Sequence, residues 1–324
     1  MNVGAVGDAL TVLDNTFLRY SAMPGGSPIP AWSFRHPTLR EGFAAFIASD
    51  LNLTEILCSG LEDNQLLTQL DCGSTEARGV LISIPSALYP EVAQRIFAMR
   101  PTYESAGRDW SEYHRAKTSW YAFFTQRCGR TFLQEYLTVD PALPSRLLEF
   151  VSHLGPFDEP SVLAHLHRNG LLAESIRIIA VKRVSELAVE TPDAGWIKLP
   201  EWSILMTSEE RNLLLASVRN ELLPELVDVV WNWGSNRPSK EDPEGWYEPL
   251  VETLKEYADA LGDDTAARRL IDDALDAIDR AKENDWSEYD EEPLPYRKKS
   301  WHSSQVQLRQ GLGTRSIFDD VDGD

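Results

Sequence analysis

Apolar residues recur along most of this chain at the three-and-four spacing of amphipathic helices, and only short stretches run or alternate as strands do. The clearest stripe is Ala267, Leu270, Ile271, Ala274, Leu275 and Ile278, in a helix predicted over 264–283 that Asp264 starts. The helix before it, from Asp242-Pro243 to Leu261, offers Leu250, Leu254, Tyr257 and Leu261, so the two are expected to pair antiparallel. Upstream, Thr207-Ser208-Glu209-Glu210 has the form of a capping box, in which the hydroxyl takes the N3 amide and the Glu reaches back. It opens a helix carrying Leu213, Leu214, Leu215, Val218, Leu222, Leu226, Val229 and Val230, which Pro224 is expected to bend because proline removes a backbone donor. Further helices are predicted over 62–70, 86–99 with Ser86 as its cap, 108–127, 141–152, 161–169 and 171–188, with Gly170 turning the chain between the last two. No internal repeat of fixed period is present.

The N-terminal residues follow a different plan. Residues 3–14 suit a short helix with Val6, Leu10 and Leu13 on one face. Thr16–Tyr20 reads as a strand, Met23–Pro30 as a loop rich in Gly and Pro, and Ala31–Arg35 as a second, antiparallel strand. His36-Pro37-Thr38 opens a helix whose apolar face is Phe43, Ala44, Phe46 and Ile47, with Pro37 in the first turn. Helix, strand, long loop, strand and helix make the back half of a winged helix. One lone strand is expected at Gly79–Pro85. The fold expectation is mainly α: a partial winged helix over 1–50, a multi-helix array over 51–283 with one or two short strand elements, and a tail over 284–324.

Composition sharpens this picture. The 324 residues hold 31 Lys+Arg against 51 Asp+Glu, a net charge of −20. Residues 201–324 carry 14 basic and 29 acidic side chains, so −15 of that total belongs to this segment. Such acidity disfavours a nucleic-acid backbone as partner. No apolar run approaches the length of a membrane span, and the first residues lack a basic, apolar leader, so a cytoplasmic protein is expected. Cys58, Cys72 and Cys128 stand far apart in sequence without a CxxC pair, which suits reduced thiols rather than a disulfide scaffold or a zinc site. Residues 285–292 hold five acids, prolines come next at 293 and 295, and the chain ends in Ser316-Ile317-Phe318-Asp319-Asp320-Val321-Asp322. That tail is expected to be disordered, with Ile317, Phe318 and Val321 as a short partner-binding anchor.

Enzyme signatures are missing from the sequence. There is no phosphate loop of the GxxxxGK[ST] kind, no HExxH, no GxSxG elbow and no EF-hand loop. His165 and His167 lie two apart on a helix, about 200° around it, and so do not converge on one ion. The aromatic cluster Trp110, Trp120, Tyr121, Phe123 and Phe124 reads as core, and Trp231-Asn232-Trp233 as a helix–loop corner. Arg108 and His114, with five residues between them on a helix, resemble the ribonuclease motif of HEPN domains. There the Arg would stabilise a phosphodiester and the His would act as acid or base.

The sharpest motif is Trp32-Ser33-Phe34-Arg35-His36-Pro37-Thr38-Leu39-Arg40-Glu41-Gly42-Phe43-Ala44-Ala45. It resembles the winged-helix segment of STAND-type NTPases, the NACHT-like switch proteins: aromatic-x-His, Ser/Thr, an apolar residue, Glu, then Phe-Ala-Ala. Ala9–Leu18 resembles the family's lead-in, and Leu66–Gly73 resembles the segment downstream of the winged helix in bacterial proteins of the novel-STAND type. The resemblance implies a non-catalytic sensing, autoinhibition or assembly module, often in anti-phage defence. It needs no cofactor of its own, and its partner is a protein: the NTPase half, an effector or the sensed protein. It implies too that His36 meets the β-phosphate of bound ADP, while the P-loop, the Mg-binding acids and the front of the winged helix would precede Met1. Another reading is open to His36: it caps the helix at residue 37 or packs against the wing. An incomplete winged helix would leave Val6, Leu10, Leu13, Phe17 and Phe34 uncovered, so residues 1–50 are expected to bind a partner or self-associate.

The tail yields a direct test. Its acids and prolines bury too little area to offset ordering entropy. Deleting residues 285–324 should leave the melting temperature of the helical body within about two degrees; a larger drop makes the tail structural.

Overall fold

The computed structural model describes residues 18–22, 30–34, 36–74, 82–102, 109–149, 158–190, 192–236 and 243–283. The helix expected at 3–14 and the tail from residue 284 lie outside these, as do Ile317, Phe318 and Val321. The chain is mainly α, with two two-stranded pairings. Among the described residues no helix is long and apolar enough to cross a membrane. Two compact units divide the described chain, one ending at Leu143 and the other starting at Pro144. This break falls inside the stretch 51–283 that the sequence reads as one helical array.

The first unit opens with the expected hairpin. Strand β1 (Leu18–Ala22) runs antiparallel to β2 (Pro30–Phe34), with Leu18 opposite Phe34 and Ala22 opposite Pro30. Helix α1 (Pro37–Ala48) comes at once and packs on α2 (Leu51–Gly60). Asp50 caps α2 through the amides of Asn52 and Leu53, and the buried Thr54 hydroxyl donates to the Ile47 carbonyl at 2.8 Å, tying α2 to the end of α1. The apolar face of α1 is narrower than its sequence suggests. Ala44 and Ile47 are buried, but Phe43 and Phe46 are 44% and 60% exposed.

Helix α3 (Asp63–Gln69) leads into β3 (Leu70–Asp71), which pairs in parallel with β4 (Ile82–Ser83). Of the expected strand at 79–85 only this short piece is formed among the described residues. β4 also contacts α1. Ser86 does not cap a helix. It begins a 3-10 turn (Ser86–Leu88), and α4 (Tyr89–Ala98) starts from Leu88 without a side-chain cap, with Pro90 in its first turn supplying the φ preset instead. Helix α5 (Trp110–Arg127) starts two residues later than expected because the Asp109 carboxylate accepts from the amides of Ser111 and Glu112. Trp120, Tyr121, Phe123 and Phe124 are buried as expected, whereas Trp110, in the first turn beyond the core, is 56% exposed. Helix α6 (Arg130–Val139) packs on α4, and its Phe132 and Tyr136 complete an aromatic core of edge-to-face pairs such as Phe124–Tyr136 at 4.7 Å.

Across the unit boundary lies α7 (Leu143–Arg146), continued by a 3-10 turn (Leu147–Glu149). In the second unit α8 (Glu159–Arg168) is capped by Asp158, and Gly170 turns the chain with φ +68° into α9 (Glu174–Glu190). Two short helices, α10 (Gly195–Lys198) and α11 (Pro200–Leu205), bury Trp196 and Trp202, and α11 packs on α8. Helix α12 (Ser208–Ser217) carries both halves of the Thr207/Glu210 capping box. The bend at Pro224 is spread over a π turn (Val218–Leu222) and a 3-10 turn (Leu223–Glu225) before α13 (Leu226–Ser235). The last two helices, α14 (Pro243–Leu261) and α15 (Thr265–Glu283), pack together as expected, with Gly262 at φ +59° between them. Ala267, Ile271, Ala274 and Ile278 are buried on one side, Leu250, Leu254 and Tyr257 on the other. Trp233 and Trp246 exchange indole N–H bonds to each other's carbonyls at 3.1 and 3.0 Å, so Trp233 packs against α14 rather than at the expected helix–loop corner, and Trp231 is 43% exposed.

One buried cation organises this unit. Arg177 on α9, 7% exposed, bonds Glu174, the Leu205 carbonyl that ends α11, and both carboxylate oxygens of Glu210 on α12. Bonding to Arg177, together with the Thr207 bonds, holds the Glu210 carboxyl down to about 2 from an ordinary 4.5. A carboxyl lowered on folding stabilises above its unfolded pKa and loses that contribution as pH falls toward the folded value. The contribution of Glu210 should therefore be complete above about pH 5 and decline below it toward pH 2. Arg177→Met should lower stability at pH 7 by about 2 kcal/mol and flatten this acid limb; an unchanged acid limb would contradict the assignment.

Candidate functional site

The residue singled out by sequence, His36, stands where β2 gives way to α1. It is the N-cap of that helix, extended at φ −137° and ψ 134°. Its Nδ1 accepts from the Thr38 amide at 3.3 Å and lies 3.0 Å from the Thr38 hydroxyl. An Nδ1 that accepts an amide hydrogen leaves the proton of the neutral ring on Nε2. The exposed imidazole thus caps the helix with one nitrogen and keeps a donor on the other. The capping role, one of those open to His36, is the one made in the structure. On the same helix pair, Phe46, Leu51 and Ile56 are 60%, 46% and 69% exposed.

The position of α1 depends on a feature further along the chain. Cys72 comes directly after β3 and lies opposite Cys128, which comes directly after α5. The Cys72 amide donates to the Arg127 carbonyl at 2.7 Å, and the Gly129 amide donates to the Cys72 carbonyl at 3.0 Å. Each cysteine precedes a glycine: Gly129 lets the backbones touch and Gly73 lets the chain turn. Gly73 has φ +86°, and a Cβ on Gly129 would lie 2.0 Å from the Gly73 carbonyl oxygen. The buried Tyr89 covers this clasp: its hydroxyl would lie 3.1 Å from a Cβ on Gly73, and its ring meets Phe132 edge-to-face at 5.2 Å. Burial first, then the neighbouring Cys72 and Asp71, push the Tyr89 hydroxyl up to about 12. All three cysteines are reduced and buried. Burial also pushes the Cys58 thiol up to about 11. Arg95 on α4 donates to the carbonyls of Cys58 and Leu61 and pairs with Asp63 at 3.6 Å, which holds α2 and α3 against α4.

The remaining sequence candidates are scattered. His114 lies on α5 with its ring 4.3 Å from that of Trp110, edge-to-face, and Arg108 lies outside the described residues. His165 and His167 sit on α8, and His165 is bonded to Asn169. Among the described residues no group of three or more His, Cys, Asp or Glu could hold a metal ion. The Cys72–Cys128 opposition has only a faint sequence signal, the repeated Cys-Gly dipeptide at 72–73 and 128–129.

No protein-family model matches the chain, and no curated protein or solved structure is similar to it.

Two glycine variants separate the clasp from ordinary helix packing. Gly129→Ala places a methyl 2.0 Å from backbone and should cost about 3 kcal/mol or more in denaturant unfolding. Gly42→Ala, within α1 and with nothing inside 4 Å of the added carbon, should stabilise by about 0.5–1 kcal/mol. Equal effects from the two would contradict the close approach.

Proposed function

We propose that this chain is a non-catalytic regulatory or assembly module of the kind that comes after the NTPase in STAND proteins, with His36 as its contact to nucleotide held by an NTPase partner. The supporting observation is the place of His36: an antiparallel hairpin runs directly into a helix of 12 residues, and the histidine sits exposed at that helix's N-terminus. Its Nε2–H can donate to a phosphate oxygen, and the helix dipole favours an anion there. The exposed Phe46, Leu51 and Ile56 give the same helix pair apolar surface for a protein partner. In this reading the module reports which nucleotide the partner holds, in a cytoplasmic defence system, and catalyses nothing itself.

The test uses the sequence encoded immediately upstream, where this reading expects a P-loop. The isolated chain should release no phosphate from ATP. Co-purified with the P-loop segment, it should slow ADP dissociation, and His36→Asn, which keeps a capping oxygen, should speed that dissociation about tenfold or more. ATP turnover by the isolated chain that His36→Ala abolishes, lack of any upstream P-loop sequence, or unchanged ADP release would each overturn the proposal. RNA cleavage lost in His114→Ala would favour the ribonuclease reading instead.

A further inference from the structure

The two Cys-Gly segments meet in a way that has chemical consequences for the thiols. The amide of Cys72 bonds to the residue before Cys128, and the carbonyl of Cys72 bonds to the residue after it. That is the pattern of a parallel bridge, in which directly opposed residues place their side chains on the same side. Paired backbones lie about 4.8 Å apart, inside the range of about 4.4–6.8 Å that a disulfide requires between α-carbons. Both residues are wholly buried. Cys58, also buried, gives its carbonyl to the Arg95 guanidinium, and its thiol lies within electrostatic reach of Cys72 but in no backbone bridge with it.

We propose that Cys72 and Cys128 form a redox-sensitive lock, joining as an intrachain disulfide when the protein meets a low-molecular-weight disulfide oxidant. In the first step one cysteine thiolate attacks the oxidant, forming a mixed disulfide and releasing one small thiol. In the second the other cysteine thiolate attacks the mixed disulfide, forming the Cys72–Cys128 bond and releasing the second small thiol. The two protein thiols are oxidised, the oxidant is reduced to two thiols, and the protons pass to those leaving groups. Burial pushes the Cys128 thiol up and keeps the oxidant out while the clasp is closed, so the reaction waits for the clasp to open. Once formed, the bond closes a loop holding β4, α4 and α5, and it fixes β3 and hence β4, on which α1 packs. The lock stands on the clasp geometry alone and holds whether or not His36 meets a nucleotide.

The full chain incubated with oxidised glutathione, with and without urea below the unfolding transition, is the test. The expected product is lighter by two hydrogens and carries a peptide linking Cys72 to Cys128. It forms faster in urea, melts about 5 °C or more higher than the reduced chain, and is reversed by dithiothreitol. Cys58→Ser should form it equally well, whereas Cys72→Ser and Cys128→Ser should give at most a stable glutathione adduct. An unchanged mass in both conditions, a linkage through Cys58, or a product that melts below the reduced chain would overturn the proposal.

Discussion

Two backbone hydrogen bonds between Cys72 and the Arg127–Gly129 turn hold the first unit together. They join the end of α3–β3 to the corner between α5 and α6, segments more than fifty residues apart in sequence. The contact is possible because Gly129 carries no Cβ to strike the Gly73 carbonyl, and because Gly73 takes the positive φ of +86° that turns the chain there. One of the routes that position α1 runs from this point: β3 is fixed by the clasp, β4 pairs with β3, and α1 packs on β4, beside the Thr54 and Arg95 bonds that tie α1 through α2 to α4. Tyr89, with the Phe132 ring against it, then covers those bonds and keeps water from them, which strengthens them.

The second unit solves the same problem with charge instead of backbone. A buried guanidinium would be costly alone, and Arg177 is tolerated because three acceptor groups surround it. Glu210 serves twice, closing the capping box of α12 and meeting Arg177, so a local cap and a tertiary contact share one carboxylate. The apolar remainder of the unit comes from ordinary helix pairing, as between α14 and α15.

These differences decide which features are legible in sequence. The hairpin, the Thr207 box, the Gly170 turn and the α14–α15 pair are legible because each is encoded by neighbours in sequence. The Ser86 cap is not made, since Pro85 and Pro90 impose a 3-10 start whatever the hydroxyl offers. Trp110 looks like core by composition, yet it precedes the first turn that faces the aromatic cluster. Arg177 and Glu210 are 33 residues apart, and nothing local marks them as partners. For the site, the helix-opening role of His36 is legible in His-Pro-Thr. The clasp that supports it is not, because burial of two thiols against each other is a tertiary event with only the Cys-Gly repeat as a trace.

That clasp is the long-range contact at the centre of the first unit, and native-state hydrogen exchange reads it directly. The amides of Cys72 and Gly129 should exchange only when the first unit unfolds as a whole, with the same free energy as amides within α4 and α5. Exchange of those two amides as fast as exposed positions on α1, while α4 and α5 stay protected, would contradict a clasp that holds the unit together.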